Sequence, residues 1–272
     1  MKDVDDGIVL PAGWPVRARL EELASSQRVV FLAGLPGVGK SLLVQQLARM
    51  AHGQGRQVTL LQWDVARAVF QTPEILARFP EIDGFTHAAL KKAIGLWARD
   101  AVAGWHERHS DPAAFLIAES ALIGRRLIEL AEPADDRAEP LLAGPETRFV
   151  VPVPTREVRA LIEATREVTI RTPRHEREAS DAPPNVLRAL WREVHRESGG
   201  TDAAGEPVYD PAAYTAVFQR WLAGRHTETL SIDRILLGNT SVYELGVPAD
   251  DLVANPAEVA AVMRRIDQLF PN

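Results

Sequence analysis

The sequence predicts an α/β fold in which an open, mostly parallel β-sheet carries helices on both faces. Apolar runs of strand length alternate along the chain with segments whose apolar residues recur at helical spacing. The first run, residues 28–33, is continuous, as in a parallel strand that is covered on both faces. A glycine-rich loop joins the first run directly to a helical segment. We expect one domain over residues 1–272, with the loop-like segments 132–145 and 198–210 as surface excursions.

Composition narrows the range of functions. The 272 residues are 46% hydrophobic and 25% charged, which is typical of a globular protein with a sizeable core. The formal net charge of -6 favours no polyanion, so we expect no nucleic-acid partner. The absence of cysteine excludes disulfides, thiolate catalysis and sulfur-ligated zinc. The start of the chain is acidic and no apolar run approaches the ~20 residues that span a bilayer, so we expect no membrane partner and a cytoplasmic location.

Each predicted element follows from its apolar period and from the turn residues around it. Pro152 predicts that the fourth strand ends there or lies at an edge of the sheet. The segment 65–109 is helical in tendency, with interruptions at prolines and a glycine. The predicted strands are 28–33, 57–63, 113–118, 148–153 and 229–236, and the clearest helices are 15–26, 40–53 and 211–223.

The loop of residues 34–41, GLPGVGKS, fits the Walker A phosphate-binding pattern at every fixed position. Its glycines let backbone N–H groups converge on a phosphate chain, and the helix that begins near Lys40 adds its positive dipole end. Lys40 supplies a cation to the outer phosphates, and the Ser41 hydroxyl is a ligand for Mg²⁺. The predicted nucleotide-binding residues are Gly34, Leu35, Pro36, Gly37, Val38, Gly39, Lys40, Ser41 and Leu42.

This loop, with its flanking strand and helix, resembles the P-loop NTPases. The GLPGVGKS form is similar to that of the nucleoside, nucleotide and zeta-toxin-type kinases. The resemblance covers only these three elements. It implies an open parallel sheet, ATP and Mg²⁺ as ligands, and an arginine-bearing lid that closes over the phosphates. The chain has no Asn-Lys-x-Asp segment for guanine, so adenine is the expected base, and residues 233–243 are the candidate adenine wall.

Two acids follow buried strands. Asp64 ends the second predicted strand and Glu119 the third, and ligands of open α/β sheets bind beyond these strand ends. In the kinases that the loop resembles, the first acid often accepts the proton of the attacking hydroxyl and the second orients Mg²⁺. The resemblance thus implies Asp64 as the base and Glu119 as the metal residue with Ser41. The reverse assignment stays open, because Glu119 stands where aspartate is usual.

Candidate acceptor-binding residues lie near these acids. Arg67 and Phe70 lie one and two turns into the helix that follows Asp64. Deoxynucleoside kinases carry a Glu-Arg-Ser triplet where this chain has Glu119 and Ser120, and the next arginines here are Arg125 and Arg126. We predict that Asp64, Arg67, Phe70 and Arg125 bind the acceptor.

The segment 155–180 is predicted to be a helical, arginine-rich lid. Thr155 can cap its helix, and one face is apolar while the other is charged. Guanidinium groups of such a lid stabilise the charge that develops on a transferring phosphoryl group. Neighbouring glutamates could instead hold these arginines in surface pairs. The arginines of the segment are Arg156, Arg159, Arg166, Arg171, Arg174 and Arg177, of which Arg166 and Arg171 are the candidate catalytic ones.

Together these features predict an ATP-dependent kinase that transfers the γ-phosphoryl group to a hydroxyl or phosphate of a small molecule. A nucleoside or a nucleotide is among the candidate acceptors. The alternative is a nucleotide-hydrolysing switch or assembly ATPase that acts on a protein partner. Such proteins usually carry an Asp-Glu pair at the third strand, and this chain lacks it. The predicted catalytic residues are Lys40, Asp64, Glu119, Arg166 and Arg171.

Overall fold

The computed structural model describes residues 7–82, 84–173, 175, 182–201, 205–236 and 244–270. Its strands are β1 (Val29–Ala33), β2 (Gln57–Gln62), β3 (Ala114–Ser120), β4 (Thr147–Pro154), β5 (Thr227–Ile232) and β6 (Asp250–Asp251). Its α-helices are α1 (Pro15–Ser26), α2 (Lys40–Gly53), α3 (Trp63–Ala68), α4 (Pro73–Arg78), α5 (Ala88–Arg108), α6 (Glu139–Leu142), α7 (Arg156–Arg171), α8 (Pro184–Glu197), α9 (Pro211–Trp221) and α10 (Pro256–Leu269).

The strands form one open sheet in the order β5-β4-β1-β3-β2-β6, and every neighbouring pair is parallel. The predicted α/β class with an open parallel sheet is confirmed. The first five strands lie within a few residues of their predicted positions, whereas the sequence analysis identified neither β6 nor α10. The two residues of β6 pair with Thr59 and Leu60 of β2. A strand of two residues is too short to leave a hydrophobic pattern in the sequence.

The prediction for Pro152 was wrong, because β4 continues to Pro154 and lies between β5 and β1. The N–H groups of Phe149 and Thr155 donate to the β5 side, so the nitrogen of Pro152 faces the β1 side. The pairing of β4 with β1 stops at Val150. A proline therefore removes no ladder hydrogen bond at this position.

Two apolar layers cover the sheet and place the end of β1 at its centre. Val29 and Phe31 pack into the layer that includes α5, α8, α9 and α10. Val30 and Leu32 pack into the layer that includes α1 and α2. Several helices, including α1, α4, α8, α9 and α10, begin with a proline, whose missing N–H would have no partner in a first turn. No helix within the described ranges is long and apolar enough to cross a membrane.

The segment 132–145 is anchored in the core and is more than the surface excursion that its composition predicted. Leu141 and Leu142 are buried. Glu139 receives hydrogen bonds from two buried arginines, at 2.6 Å from Arg225 Nη1 and 2.8 Å from Arg99 Nη2. Burial would raise the pKa of Glu139, but these two hydrogen bonds outweigh it and lower the pKa from 4.5 to about 2.

This network predicts a pH-dependent loss of stability in Glu139→Gln. We expect the variant to lower the free energy of unfolding by about 2 kcal/mol near neutral pH, since hydrogen bonds between charged groups are lost. A carboxylate with a lowered pKa contributes stability above its unfolded value of 4.5 and loses it as the pH falls towards about 2. The difference between variant and wild type should therefore shrink over that range in urea titrations.

Glu107→Gln is the matched control, because Glu107 pairs with Arg137 and both side chains are more than half exposed. We expect little change in this control at any pH. An equal loss of stability for Glu139→Gln at neutral and acidic pH would contradict the assignment.

Candidate functional site

The glycine loop, residues 34–41, leaves β1 at the carboxyl edge of the sheet and enters α2 at Lys40. Two of its glycines have left-handed backbone, with φ of 77° at Gly37 and 87° at Gly39, which glycine adopts at little cost. A Cβ at Gly34 would lie 2.5 Å from the hydroxyl of Tyr214, a buried residue of α9. That hydroxyl accepts a hydrogen bond from the Leu35 N–H at 3.2 Å. Glycine is therefore favoured at Gly37 and Gly39 by the left-handed backbone, and at Gly34 by the close approach of Tyr214.

Lys40 lies inside the loop, with its side chain only 5% exposed. Its Nζ donates to the carbonyl of Leu35 at 3.0 Å and lies 3.7 Å from Oε1 of Glu119. Burial lowers the pKa of Lys40, and the charge of Glu119 partly opposes this. A bound polyphosphate would add negative charge and favour the ammonium form.

Ser41 and Glu119 face each other beside Lys40. The Ser41 hydroxyl is 3.4 Å from Oε2 of Glu119 and 3.5 Å from Oε1. Glu119 lies in β3, in register with Leu32 of β1 and Gln62 of β2, so strand pairing positions its carboxylate at this edge. Glu119 is thus the last residue but one of the third strand, close to its predicted position at the strand end.

A hydroxyl and a carboxylate are ligands that suit Mg²⁺, which takes oxygen ligands and usually completes its shell with phosphate oxygens and water. The described part of the chain has no group of three or more His, Cys, Asp or Glu side chains that could hold a metal ion. Ser41 and Glu119 therefore fit a metal that arrives with a nucleotide, and they do not form a complete protein cage.

An open cavity of about 190 Å³ adjoins the glycine loop on the side of α2 and α7. Most of its lining is apolar, and Arg166 and Arg234 add positive charge. The predicted adenine wall falls partly here, since residues 234–236 line the cavity, while 237–243 lie outside the described residues. The lining residues are Trp14, Gly37, Val38, Gly39, Leu42, Leu43, Val158, Ile162, Arg166, Ile232, Arg234, Ile235 and Leu236.

Trp14 is a cavity residue that sequence reasoning missed. Its Nε1 donates to Asp233 Oδ1 at 2.9 Å, and the guanidinium of Arg234 lies 5.5 Å from its ring centre. Trp14 and Asp233 are 219 positions apart, so no local pattern connects them. Val158 and Ile162 belong to the predicted apolar face of α7, and that periodicity could have indicated that they pack towards the loop.

Helix α7 lies directly against the glycine loop. Its N-terminus is capped as predicted, with the Thr155 hydroxyl accepting from the Val158 N–H at 3.3 Å. A Cβ at Gly37 would be 3.2 Å from Cγ2 of Ile162. Arg159 is 1% exposed, and its Nη1 donates to the Pro36 carbonyl at 3.1 Å.

The other arginines of the predicted lid are distributed differently. Arg166 lines the cavity beside the loop and is close enough to Lys40 to contribute to its lowered pKa. Arg171 is the exposed last residue of α7, and Arg156 pairs with Asp210 at 3.4 Å. The positions Arg174 and Arg177 lie outside the described residues.

Two predicted acceptor residues occupy α3, which follows β2. Asp64 lies in its first turn with its side chain 85% exposed, and its charge acts on Lys40. Nη2 of Arg67 is 3.9 Å from the Asp64 carboxylate, and Nη1 is 3.2 Å from Glu81.

Phe70 and Arg125 are placed otherwise than predicted. Phe70 is fully buried and makes an edge-to-face contact with Trp97, so its ring belongs to the core and does not face the sheet edge. Arg125 is 65% exposed and pairs with Glu132 at 3.1 Å. The helix predicted after Asp64 ends at Ala68, and Phe70 lies in the turn that follows, where it packs into the core.

Arg126 lies beside the other site residues, although the sequence analysis selected its neighbour. Its guanidinium lies 5.7 Å from the ring centre of Trp63, the first residue of α3. Burial lowers the pKa of Arg126, and the charge of Asp64 opposes this.

An irregular turn explains why Arg126, and not Arg125, lies beside the site residues. Leu122, Arg125 and Leu127 all have positive φ, which is rare for residues with a side chain. Leu122 and Leu127 are buried and hold the turn in place, and the Ser120 hydroxyl donates to the Arg126 carbonyl at 3.3 Å. This geometry directs Arg125 outwards to Glu132.

No protein-family model, curated protein or solved structure matches this chain. The chemistry and geometry of the site residues are therefore the basis for assigning a function.

The contact between α7 and the loop predicts different costs for two glycine substitutions. Gly37→Ala and Gly39→Ala both impose left-handed backbone on alanine, at about 1–2 kcal/mol each. No atom lies within 4 Å of a Cβ at Gly39, whereas a Cβ at Gly37 meets Ile162. We expect Gly37→Ala to lower the free energy of unfolding more than Gly39→Ala, as measured by denaturant titration.

Combining each glycine substitution with Ile162→Ala separates the cost of the backbone strain from the cost of the contact with Ile162. Ile162→Ala should reduce the cost of Gly37→Ala and leave the cost of Gly39→Ala unchanged. Equal coupling of Ile162→Ala with both glycine variants would show that α7 does not press on the loop at Gly37.

Proposed function

We propose that this protein is an ATP-dependent phosphotransferase that moves the γ-phosphoryl group to a hydroxyl or phosphate of a small acceptor. The proposal rests mainly on one juxtaposition. Lys40 Nζ lies 3.7 Å and Ser41 Oγ 3.4 Å from the Glu119 carboxylate, beside a glycine loop at the carboxyl edge of a parallel sheet. This combination of a buried cation, a hydroxyl and a carboxylate suits the phosphates of a metal-bound nucleotide.

Each residue has a distinct role in this proposal. The loop amides and the N-terminus of α2 hold the phosphate chain. Lys40 gives up its contact with the Leu35 carbonyl and stabilises charge on the outer phosphates. Ser41 and Glu119 would hold Mg²⁺, which neutralises phosphate charge when bound. Arg166, on α7, adds a cation beside the loop in the role proposed for the lid.

The apolar cavity beside the loop favours a nucleoside triphosphate over inorganic polyphosphate as the ligand. It adjoins the loop at Gly37, Val38 and Gly39, where the nucleoside end of the phosphate chain would emerge. Trp14 and Leu236 supply apolar surface of the kind that purine rings pack on.

The acceptor side is proposed to include Asp64, Arg67 and Arg126. Asp64 carries an exposed carboxylate at the edge where the γ-phosphate would lie, so it suits the role of proton acceptor. The two guanidinium groups can donate to a phosphate or carboxylate of the acceptor, although Glu81 already pairs with Arg67 at 3.2 Å.

Transfer from radiolabelled ATP to a panel of nucleosides, nucleotides and sugars tests the proposal. We expect Lys40→Ala to lose transfer together with nucleotide affinity. Asp64→Asn should keep nucleotide affinity and lose on the order of 10²-fold or more in transfer rate, since the proton acceptor is removed. Asp100→Asn is the control, because Asp100 of α5 forms an exposed pair with Arg265 of α10. Hydrolysis without any acceptor, insensitive to Asp64→Asn, would favour the nucleotide switch instead.

Substitution of the adjacent residues Arg125 and Arg126 provides a second test, which concerns the proposed acceptor side. Arg126→Gln should lower kcat/KM for the acceptor about tenfold or more, because a charged hydrogen-bond donor beside Asp64 is lost. Arg125→Gln removes the same charge one position away, where the side chain pairs with Glu132, and should leave kcat/KM unchanged. The assignment fails if both variants behave alike in steady-state kinetics.

A further inference from the structure

A second cavity lies between α7, α8 and residues 206–209, and neither Lys40 nor Glu119 lines it. Its volume is about 260 Å³. Three arginines (Arg156, Arg159 and Arg188) and two glutamates (Glu163 and Glu206) line it, which leaves an excess of one positive charge. The remaining lining is largely apolar and includes the rings of Trp191 and Tyr209.

Two buried polar atoms on this lining have no hydrogen-bond partner among the described residues. They are Nη2 of Arg159 and the hydroxyl of Tyr209, on side chains that are 1% and 7% exposed. The neighbouring Trp191 is satisfied, since its Nε1 donates to the Pro207 carbonyl at 2.8 Å. Unpaired buried donors are rare in native proteins, and a bound partner is one explanation for them.

The two unpaired groups have the same chemical preference. Arg159 is a permanent cation and donates only. Burial raises the pKa of Tyr209, so its phenol stays neutral and can donate as well. Glu163 occupies one edge of the Arg159 guanidinium, at 2.8 Å from Nε, and leaves Nη2 for another acceptor. Two donors and an excess of positive charge in one cavity select an anionic oxygen.

We propose that this cavity binds a small organic anion. Its phosphate or carboxylate accepts hydrogen bonds from Arg159 Nη2, the Tyr209 hydroxyl and Arg188. Its apolar part packs against Trp191, whose ring centre is 4.9 Å from that of Tyr209. Arg188 is exposed at the mouth of the cavity and has no ion pair within the described part of the chain, so it suits the role of drawing the anion in.

The same residues connect this cavity to the glycine loop. Arg159 Nη1 donates to the Pro36 carbonyl at 3.1 Å. The ring of Tyr209 is 5.9 Å from that of Tyr214, whose hydroxyl accepts from the Leu35 N–H. Satisfying Arg159 and Tyr209 stabilises the arrangement in which both support the loop. We therefore expect the anion to raise nucleotide affinity, an effect that rests on the proposed function.

The site itself is tested with phenyl phosphate, which combines an anion with an aromatic ring. Binding is measured by calorimetry on the full chain carrying Lys40→Ala, so that the glycine loop contributes little. Arg188→Gln and Tyr209→Phe, each added to this background, should weaken binding about fivefold or more. Arg196→Gln is the matched control, because it removes an exposed arginine of the same helix that does not line the cavity.

The outcomes separate an anion site from a merely structural one. If phenyl phosphate does not bind, or if Arg188→Gln or Tyr209→Phe leaves its affinity unchanged, the proposed site is refuted. If the Tyr209 hydroxyl is only structural, Tyr209→Phe will shift the midpoint of urea unfolding and leave the affinity for phenyl phosphate unchanged. That result would also count against the proposal.

Coupling is measured separately with the wild-type Lys40 in place. A non-hydrolysable ATP analogue is titrated with and without saturating phenyl phosphate, and we expect about fivefold tighter nucleotide binding in its presence. Unchanged or weaker nucleotide binding would overturn the coupling. If no nucleotide binds at all, the proposed function and the coupling both fail, while the calorimetric result for the anion site stands.

Discussion

The buried ammonium of Lys40 is the constraint on which the arrangement of the site depends. Removing a charge from water is costly unless a partner of opposite charge and hydrogen-bond acceptors replace the solvent. The carbonyl of Leu35 and the carboxylate of Glu119 are those partners. Glu119 can reach Lys40 only because β3 lies next to β1 in parallel register, with Glu119 opposite Leu32. The pairing of the central strands thus places the carboxylate that stabilises the charge of Lys40.

Helix α7 contributes to both cavities. Its Val158, Ile162 and Arg166 side chains line the one beside the glycine loop, while Arg159 and Glu163 line the other. Between them, Ile162 contacts Gly37 and Arg159 holds the Pro36 carbonyl. A shift of α7 would therefore change the support of the loop and the shape of both cavities together, and the proposed coupling between them would act through these contacts.

Burial and hydrogen-bond partners distinguish the described arginines from one another. Arg99 and Arg225 are buried against Glu139 and backbone carbonyls, so they anchor the segment 132–145. Arg159 is buried with Nη2 unsatisfied among the described residues, and this atom is the basis of the anion site that we propose. Arg125, by contrast, is largely exposed in a surface pair of little energetic value.

The sequence by itself determined the features that depend on neighbours along the chain. The glycine loop, the capped start of α7 and the strands that lead to Glu119 and Asp64 follow from local apolar period, turn chemistry and motif spacing. Only the tertiary structure decided which side chains meet. It brought Trp14 to Asp233, turned Arg125 outwards beside Arg126 and buried Phe70. It also left Nη2 of Arg159 and the hydroxyl of Tyr209 without a hydrogen-bond partner among the described residues. These outcomes depend on packing between distant segments, which leaves no periodic trace in the sequence.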